Sequence, residues 1–278
     1  RRRIAAAPAG RGPGPVRIHD QTVRQIIHTS IGGSAVRVAV TNLFGSEPLD
    51  IGAAHVALRS GDASIDTHAG APLRFGGQSS TTVAPGAMVV SDPVEMGVPA
   101  LSDLVIDLHV TSDSAAGDGA TVHGTGLTTN YLSPGGDHTG VAELPVERTF
   151  QSWFYLSRVD VLAPNGTPVI VTLGDSITDG TASTPDTNSR WPDFLARRLV
   201  QRPGRTPPGV LNVGIGGNRV LSHNAGLGIL ARGANAPAPP PPNPNARFGP
   251  SALARLDRDV LAQPGVTHVI VLESTNDI

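Results

Sequence analysis

The chain has 278 residues, with 23 acidic and 21 basic side chains and a formal net charge of −2, so no basic surface argues for nucleic-acid binding. It contains no cysteine, which excludes disulfides and thiolate metal sites. No apolar run is long enough to span a membrane as a helix, and the length suits two domains, each with its own core.

The opening Arg1-Arg2-Arg3-Ile4-Ala5-Ala6-Ala7 lacks the apolar core of a targeting segment and reads as a solvated arm; no signal peptide is visible. Residues 15–162 then show short alternating segments between Gly, Pro, Asn and Asp turns. Thr22–His28, Ala35–Thr41, Ala54–Leu58, Thr81–Val83, Met88–Val90, Leu104–Val110 and Trp153–Val161 are the predicted strands. Many short strands at this spacing predict a β-sandwich of jelly-roll type over 15–162. Alternation sets Val36, Val38 and Val40 on one face and Arg37, Ala39 and Thr41 on the other. Thr121–Gly126 and Ser133–His138 read as solvated polar turns. His28, His55 and His109 fall in strand patterns without metal-ligand spacing and read as structural histidines.

Pro164-Asn165-Gly166 marks a turn in a short linker, and an α/β pattern occupies 168–278. The β-branched run Val169–Leu173 predicts a buried parallel strand that stops at Gly174-Asp175-Ser176. A serine just past such a strand stands where open α/β sheets bind ligands. Gly-Asp-Ser is also a common strand-ending turn, and alone these residues leave both readings open. A helix is predicted over Arg190–Leu199, capped by Asn188 or Ser189, with Trp191, Leu195 and Leu199 on one face. A second strand, at about 210–215, ends in Gly214-Ile215-Gly216-Gly217-Asn218. The proline-rich run 236–245 excludes regular helix or sheet. A second helix is predicted over Ser251–Ala262 with Leu253, Leu256 and Val260 inward. A third strand, at about 268–273, ends in Ser274-Thr275-Asn276-Asp277. Together the strand ends offer a hydroxyl, a glycine corner and an amide, the set that acyl transfer uses for a nucleophile and its oxyanion donors.

In order and spacing, Gly-Asp-Ser-Ile-Thr-Asp-Gly, Gly-Ile-Gly-Gly-Asn and Ser-Thr-Asn-Asp resemble the first three sequence blocks of the GDSL, or SGNH, hydrolases. The resemblance covers about residues 168–278 and implies a flavodoxin-like α/β domain, incomplete here, behind the β-sandwich. It makes Ser176 the nucleophile. The N–H groups of Ser176 and Gly217 and the Asn276 amide become the oxyanion hole. Ser274 stands where the family has glycine. The family's Asp-x-x-His block, which supplies the base, has no counterpart after Ser176. Asp175 and Asp179 are expected to serve turn and cap bonding rather than to replace it. Both ends read as cut, so residues 1–278 are expected to be a poorly active fragment of a longer protein. An exposed apolar surface is expected beside the last strand.

The resemblance implies a serine esterase that needs no cofactor or metal. Within the family, the layout resembles secreted bacterial carbohydrate esterases, implying an acetylated saccharide as substrate and an extracellular location. A lipase or lysophospholipase on the same scaffold is the nearest alternative. A non-catalytic carbohydrate-binding protein is another, opposed by an aromatic content of 4%. A dinucleotide fold fails because Arg219 stands where the third glycine of G-x-G-x-x-G should fall.

Overall fold

A computed structural model describes residues 16–115, 120–223 and 248–278. The expectations for the N-terminal arm and the proline-rich run 236–245 fall outside these residues. In chain order the first strands are β1 Arg17–Ile18, β2 Gln21–His28, β3 Gly33–Thr41, β4 Leu49–Arg59 and β5 Ile65–Pro72. Next come β6 Thr81–Val83, β7 Met88–Val90, β8 Val94–Val98, β9 Asp103–Val110, β10 Ser114–Ala115 and β11 Val122–His123. The β-rich part ends with β12 Asn130–Gly135, β13 Arg148–Phe150, β14 Trp153–Phe154 and β15 Leu156–Val161. The remainder holds β16 Val169–Gly174, α1 Ser176–Asp179, α2 Trp191–Val200, β17 Gly209–Gly214, α3 Ala252–Leu256 with a π-turn Asp257–Leu261, and β18 Val266–Leu272.

An antiparallel seven-stranded sheet runs β13-β12-β2-β9-β4-β5, with β6 also on β4. A four-stranded sheet is built around β3, with β15, β7 and β8 as its neighbours. One apolar cluster takes Val36, Val38 and Val40 of β3 together with Leu104, Ile106, Leu108 and Val110 of β9. The alternation expected for β3 therefore faces a core shared by both sheets, although Ala39 and Thr41 on its other side are buried too. On the far face of β9, Asp107 takes two bonds from Arg24, Nε–Oδ1 and Nη2–Oδ2 both 2.8 Å, with both side chains sealed from solvent. Arg24 also donates to the Ala63 and Val141 carbonyls, so the ion pair ties loops over that face.

Several expectations are corrected. Trp153–Val161 is not one strand, because Tyr155 adopts a left-handed φ of 58°. The break sends β14 to β11 and β15 to β3. Ser133 is buried rather than solvated, its hydroxyl accepting from Thr22 N–H at 2.9 Å. His55 leaves Nδ1 buried without a hydrogen-bond partner among the described residues, and burial lowers its pKa. Helix α2 is capped at Arg190, whose N–H donates to the Asp193 carboxylate at 2.8 Å, not at Asn188 or Ser189. Leu253 is exposed, while Ala252 and Arg255 turn inward.

Strands β17, β16 and β18 form a parallel three-stranded sheet in that order. Parallel pairing requires crossovers, and α2 and α3 lie in them. Val171 and Leu173 of β16 pack with Ala252 and Val260 into a separate core. The segment Gly180–Arg190 fastens this part to the β-rich part. Thr129 N–H and its hydroxyl donate to Asp186 at 2.6 and 2.7 Å, and Asn188 Nδ2 reaches Asp103 at 3.2 Å. Below it, Val210 N–H of β17 donates to the Ser30 hydroxyl at 2.9 Å.

Candidate active site

Because the three strands are parallel, Ser176, the Gly216-Gly217 corner and Asn276 all follow strand C-termini at the same end of the sheet. Ser176 opens the single-turn helix α1 and is half-buried. Asp175 caps this turn, its Oδ1 accepting the Ile177 N–H at 2.9 Å, and Gly180 closes it with φ 96°. The cap role expected for Asp175 is thus seen, while its Oδ2 is buried without a hydrogen-bond partner among the described residues. Thr178 is fully buried, and its carbonyl accepts from Asn212 Nδ2 at 2.7 Å, pinning α1 over β17. Gly214 permits that approach, since a Cβ there would collide with the backbone of Thr178 and Asp179.

The second corner is a tight turn in which Asn218 N–H donates to the Ile215 carbonyl at 3.0 Å. Gly217 holds φ 78°, the conformation a type II turn demands of its third residue. A side chain at Gly217 would also strike the Phe248 ring. Asn218 is buried and fully used. Its Nδ2 donates to the Phe248 and Pro250 carbonyls at 3.0 and 2.7 Å, and its Oδ1 accepts from Arg255 Nε at 3.1 Å. Arg255 is buried as well and donates to the carbonyls of Val213 and Gly174 at 2.6 and 3.2 Å. One guanidinium therefore joins the ends of β16 and β17 to the corner. Asn218 entered the sequence reading only as the last residue of the Gly-Ile-Gly-Gly-Asn block, and Arg255 did not enter it.

Asn276 bonds to the residue after Gly217: its Nδ2 donates to the Asn218 carbonyl at 2.9 Å. Ser274, in the position of the family glycine, carries φ 101°. Glu273 precedes Ser274, with both carboxylate oxygens buried and no hydrogen-bond partner among the described residues. Burial, with smaller contributions from Asp175 and Asp277 and opposition from Arg255, pushes its carboxyl up to about 7.

Two histidines lie near these elements. His223 Nδ1 accepts from the Ser251 N–H at 3.0 Å at the start of α3. His123, expected in a solvated turn, is instead in β11 and reaches Asp179 Oδ1 at 2.8 Å. Turn and cap bonding therefore do not account for Asp179, whose Oδ2 accepts from the Gly216 N–H at 2.9 Å. Among the described residues no cluster of His, Cys, Asp and Glu could hold a metal ion.

Residues 170–278 match the family described as GDSL-like lipase/acylhydrolase. No curated protein matches the chain. Among solved structures, an active site mutant of a family two carbohydrate esterase from Clostridium thermocellum is 13% identical, with TM-score 0.22, over 96% of this chain and 67% of that one. A family two carbohydrate esterase from the same organism in complex with cellohexaose is 13% identical, with TM-score 0.22, over 94% and 62%. The corresponding enzyme of Cellvibrio japonicus is 13% identical, with TM-score 0.18, over 74% and 47%. The chain spans from about half to two thirds of the length of these structures, and TM-scores of this size do not define a shared fold.

Proposed function

We propose that the protein, with residues 170–278 as its GDSL-like lipase/acylhydrolase segment, is a serine esterase in which Ser176 is the nucleophile. The observation that supports this is that Ser176, the Gly217 corner and Asn276 all follow strand C-termini at one end of a parallel sheet. Ser176 Oγ attacks the ester carbonyl, the alcohol departs, and water releases the acyl group. Charge developing on the carbonyl oxygen is met by the N–H groups of Ser176 and Gly217 and by Asn276 Nδ2, which has a second hydrogen to give besides the one on the Asn218 carbonyl. His223 bonds Ser251 through Nδ1, and His123 bonds Asp179 through Nε2. Residues 1–278 alone are expected to hydrolyse esters slowly at most.

The two-part layout, a jelly-roll-like sandwich over 15–162 and an SGNH domain over 168–278, belongs to the same proposal. An acetylated saccharide is the proposed substrate, and an extracellular location goes with it. A fluorophosphonate probe tests the chemistry in the full protein: Ser176 is expected to be labelled and Ser176→Ala to be inert. Labelling that persists in Ser176→Ala, or p-nitrophenyl acetate turnover that does, overturns the assignment. Hydrolysis of long-chain esters in preference to acetyl esters overturns the saccharide reading alone.

A further inference from the structure

Asp179 is the meeting point of the β-rich part and the candidate oxyanion corner. Its carboxylate is almost sealed, with 4% of the side chain exposed, and each oxygen has one identified partner. Oδ1 accepts from His123 Nε2 at 2.8 Å and Oδ2 from the Gly216 N–H at 2.9 Å. An ionised carboxylate only accepts, so the imidazole proton lies on Nε2. The backbone of Asp179 is held too. Its carbonyl accepts from Arg190 Nε at 2.8 Å and its N–H donates to the Asp175 carbonyl at 2.9 Å.

The imidazole is itself fixed from the β-rich side. Its ring lies 5.6 Å from that of Trp153, which β14 carries opposite it. Arg190 stands over the same indole at 5.7 Å and donates to the Gly126 carbonyl. The order of contacts is thus Trp153, His123, Asp179, Gly216, and the next residue is Gly217. A buried carboxylate with two donors has one stable orientation. Losing one donor leaves a half-paired buried charge, which rotates, draws in water or takes up a proton, and each outcome loosens the bond to Gly216.

We propose that His123 is a positioning residue for ester hydrolysis: through Asp179 it holds Gly216, and with it the Gly217 N–H, in the geometry that meets the oxyanion. This rests on the esterase assignment above. It also gives the β-rich part a duty in the chemistry, as the source of one donor in the support of the oxyanion corner. Since the corner matters only when charge develops, its loosening lowers kcat and leaves KM unchanged.

Two substitutions in the full protein separate the donor from the ring. His123→Phe keeps an aromatic ring against Trp153 and deletes the donor, while His123→Gln deletes the ring and keeps an N–H donor. With p-nitrophenyl acetate, His123→Phe is expected to lose kcat on the order of tenfold to a hundredfold at constant KM. His123→Gln is expected to stay within about threefold of the parent. A kcat that follows the ring, a kcat unchanged in His123→Phe, or a loss expressed only in KM overturns the proposal. Hydrogen exchange of the Gly216 amide reads the same bond without turnover. Exchange is expected to be fast in His123→Phe and slow in the parent and in His123→Gln; equal protection in all three overturns it. Ser176→Ala is run beside them. Turnover that survives there defeats the esterase assignment, whereas turnover lost there but normal in His123→Phe defeats only the role of His123.

Discussion

At Ser274 the backbone holds φ 101°, a region that side chains other than glycine's adopt at a cost of about 1–3 kcal/mol. Ser274→Gly removes that strain and concedes about 0.4–1 kcal/mol to a looser unfolded chain. A net gain of about 1 kcal/mol is expected, read as a higher urea midpoint at unchanged slope. Glu273 beside it makes stability depend on pH. Its folded-state pKa of about 7 lies above the ordinary 4.5. The folded chain therefore binds more protons than the unfolded one between these values. The contribution of Glu273 is complete below pH 4.5, declines as pH rises, and is gone above about 7. Glu273→Gln is expected to flatten that decline, measured as the denaturation midpoint across the same window; an equally steep decline in the variant contradicts the assignment to Glu273.

At the scale of elements, β16 is bonded on both sides, β17 has its outer edge met by Ser30, and β18 pairs with β16 alone among the described residues. Along β18, Val269, Ile270, Val271 and Leu272 are 41%, 38%, 63% and 41% exposed, the apolar surface anticipated beside the last strand. An open apolar edge is a template for another strand. Residues 1–278 are expected to self-associate, and Val271→Lys to shift sedimentation toward the monomer. Strands such as β2, β3 and β9 were legible from their short apolar runs, as at Val36, Val38 and Val40, whereas β5, β8 and β12 were not. The corners of the candidate site were legible because the glycine, serine and asparagine requirements are local. What escaped depends on partners far along the chain. Arg255 displaces Leu253 from the inward face because its guanidinium meets carbonyls of β16 and β17. His123 lies 56 residues from Asp179, and nothing in Val122-His123-Gly124 announces a carboxylate.

For the whole molecule, the segment Gly180–Arg190 has a thermodynamic consequence. Ala182, Asp186 and Asn188 all hold positive φ there, and Asp186 and Asn188 bond across to the β-rich part. Backbone strain of this kind persists only while both sides are folded to hold it. Melting either part releases the segment and deprives the other of its anchors, so the two are expected to unfold as a single cooperative unit. A calorimetric scan should show one endotherm whose van't Hoff and calorimetric enthalpies agree. In Asp186→Ala, with the Thr129 bonds gone, the van't Hoff value should fall below the calorimetric one as the peak broadens toward two. On these terms a short connecting loop, rather than either hydrophobic core, sets the size of the unit that melts.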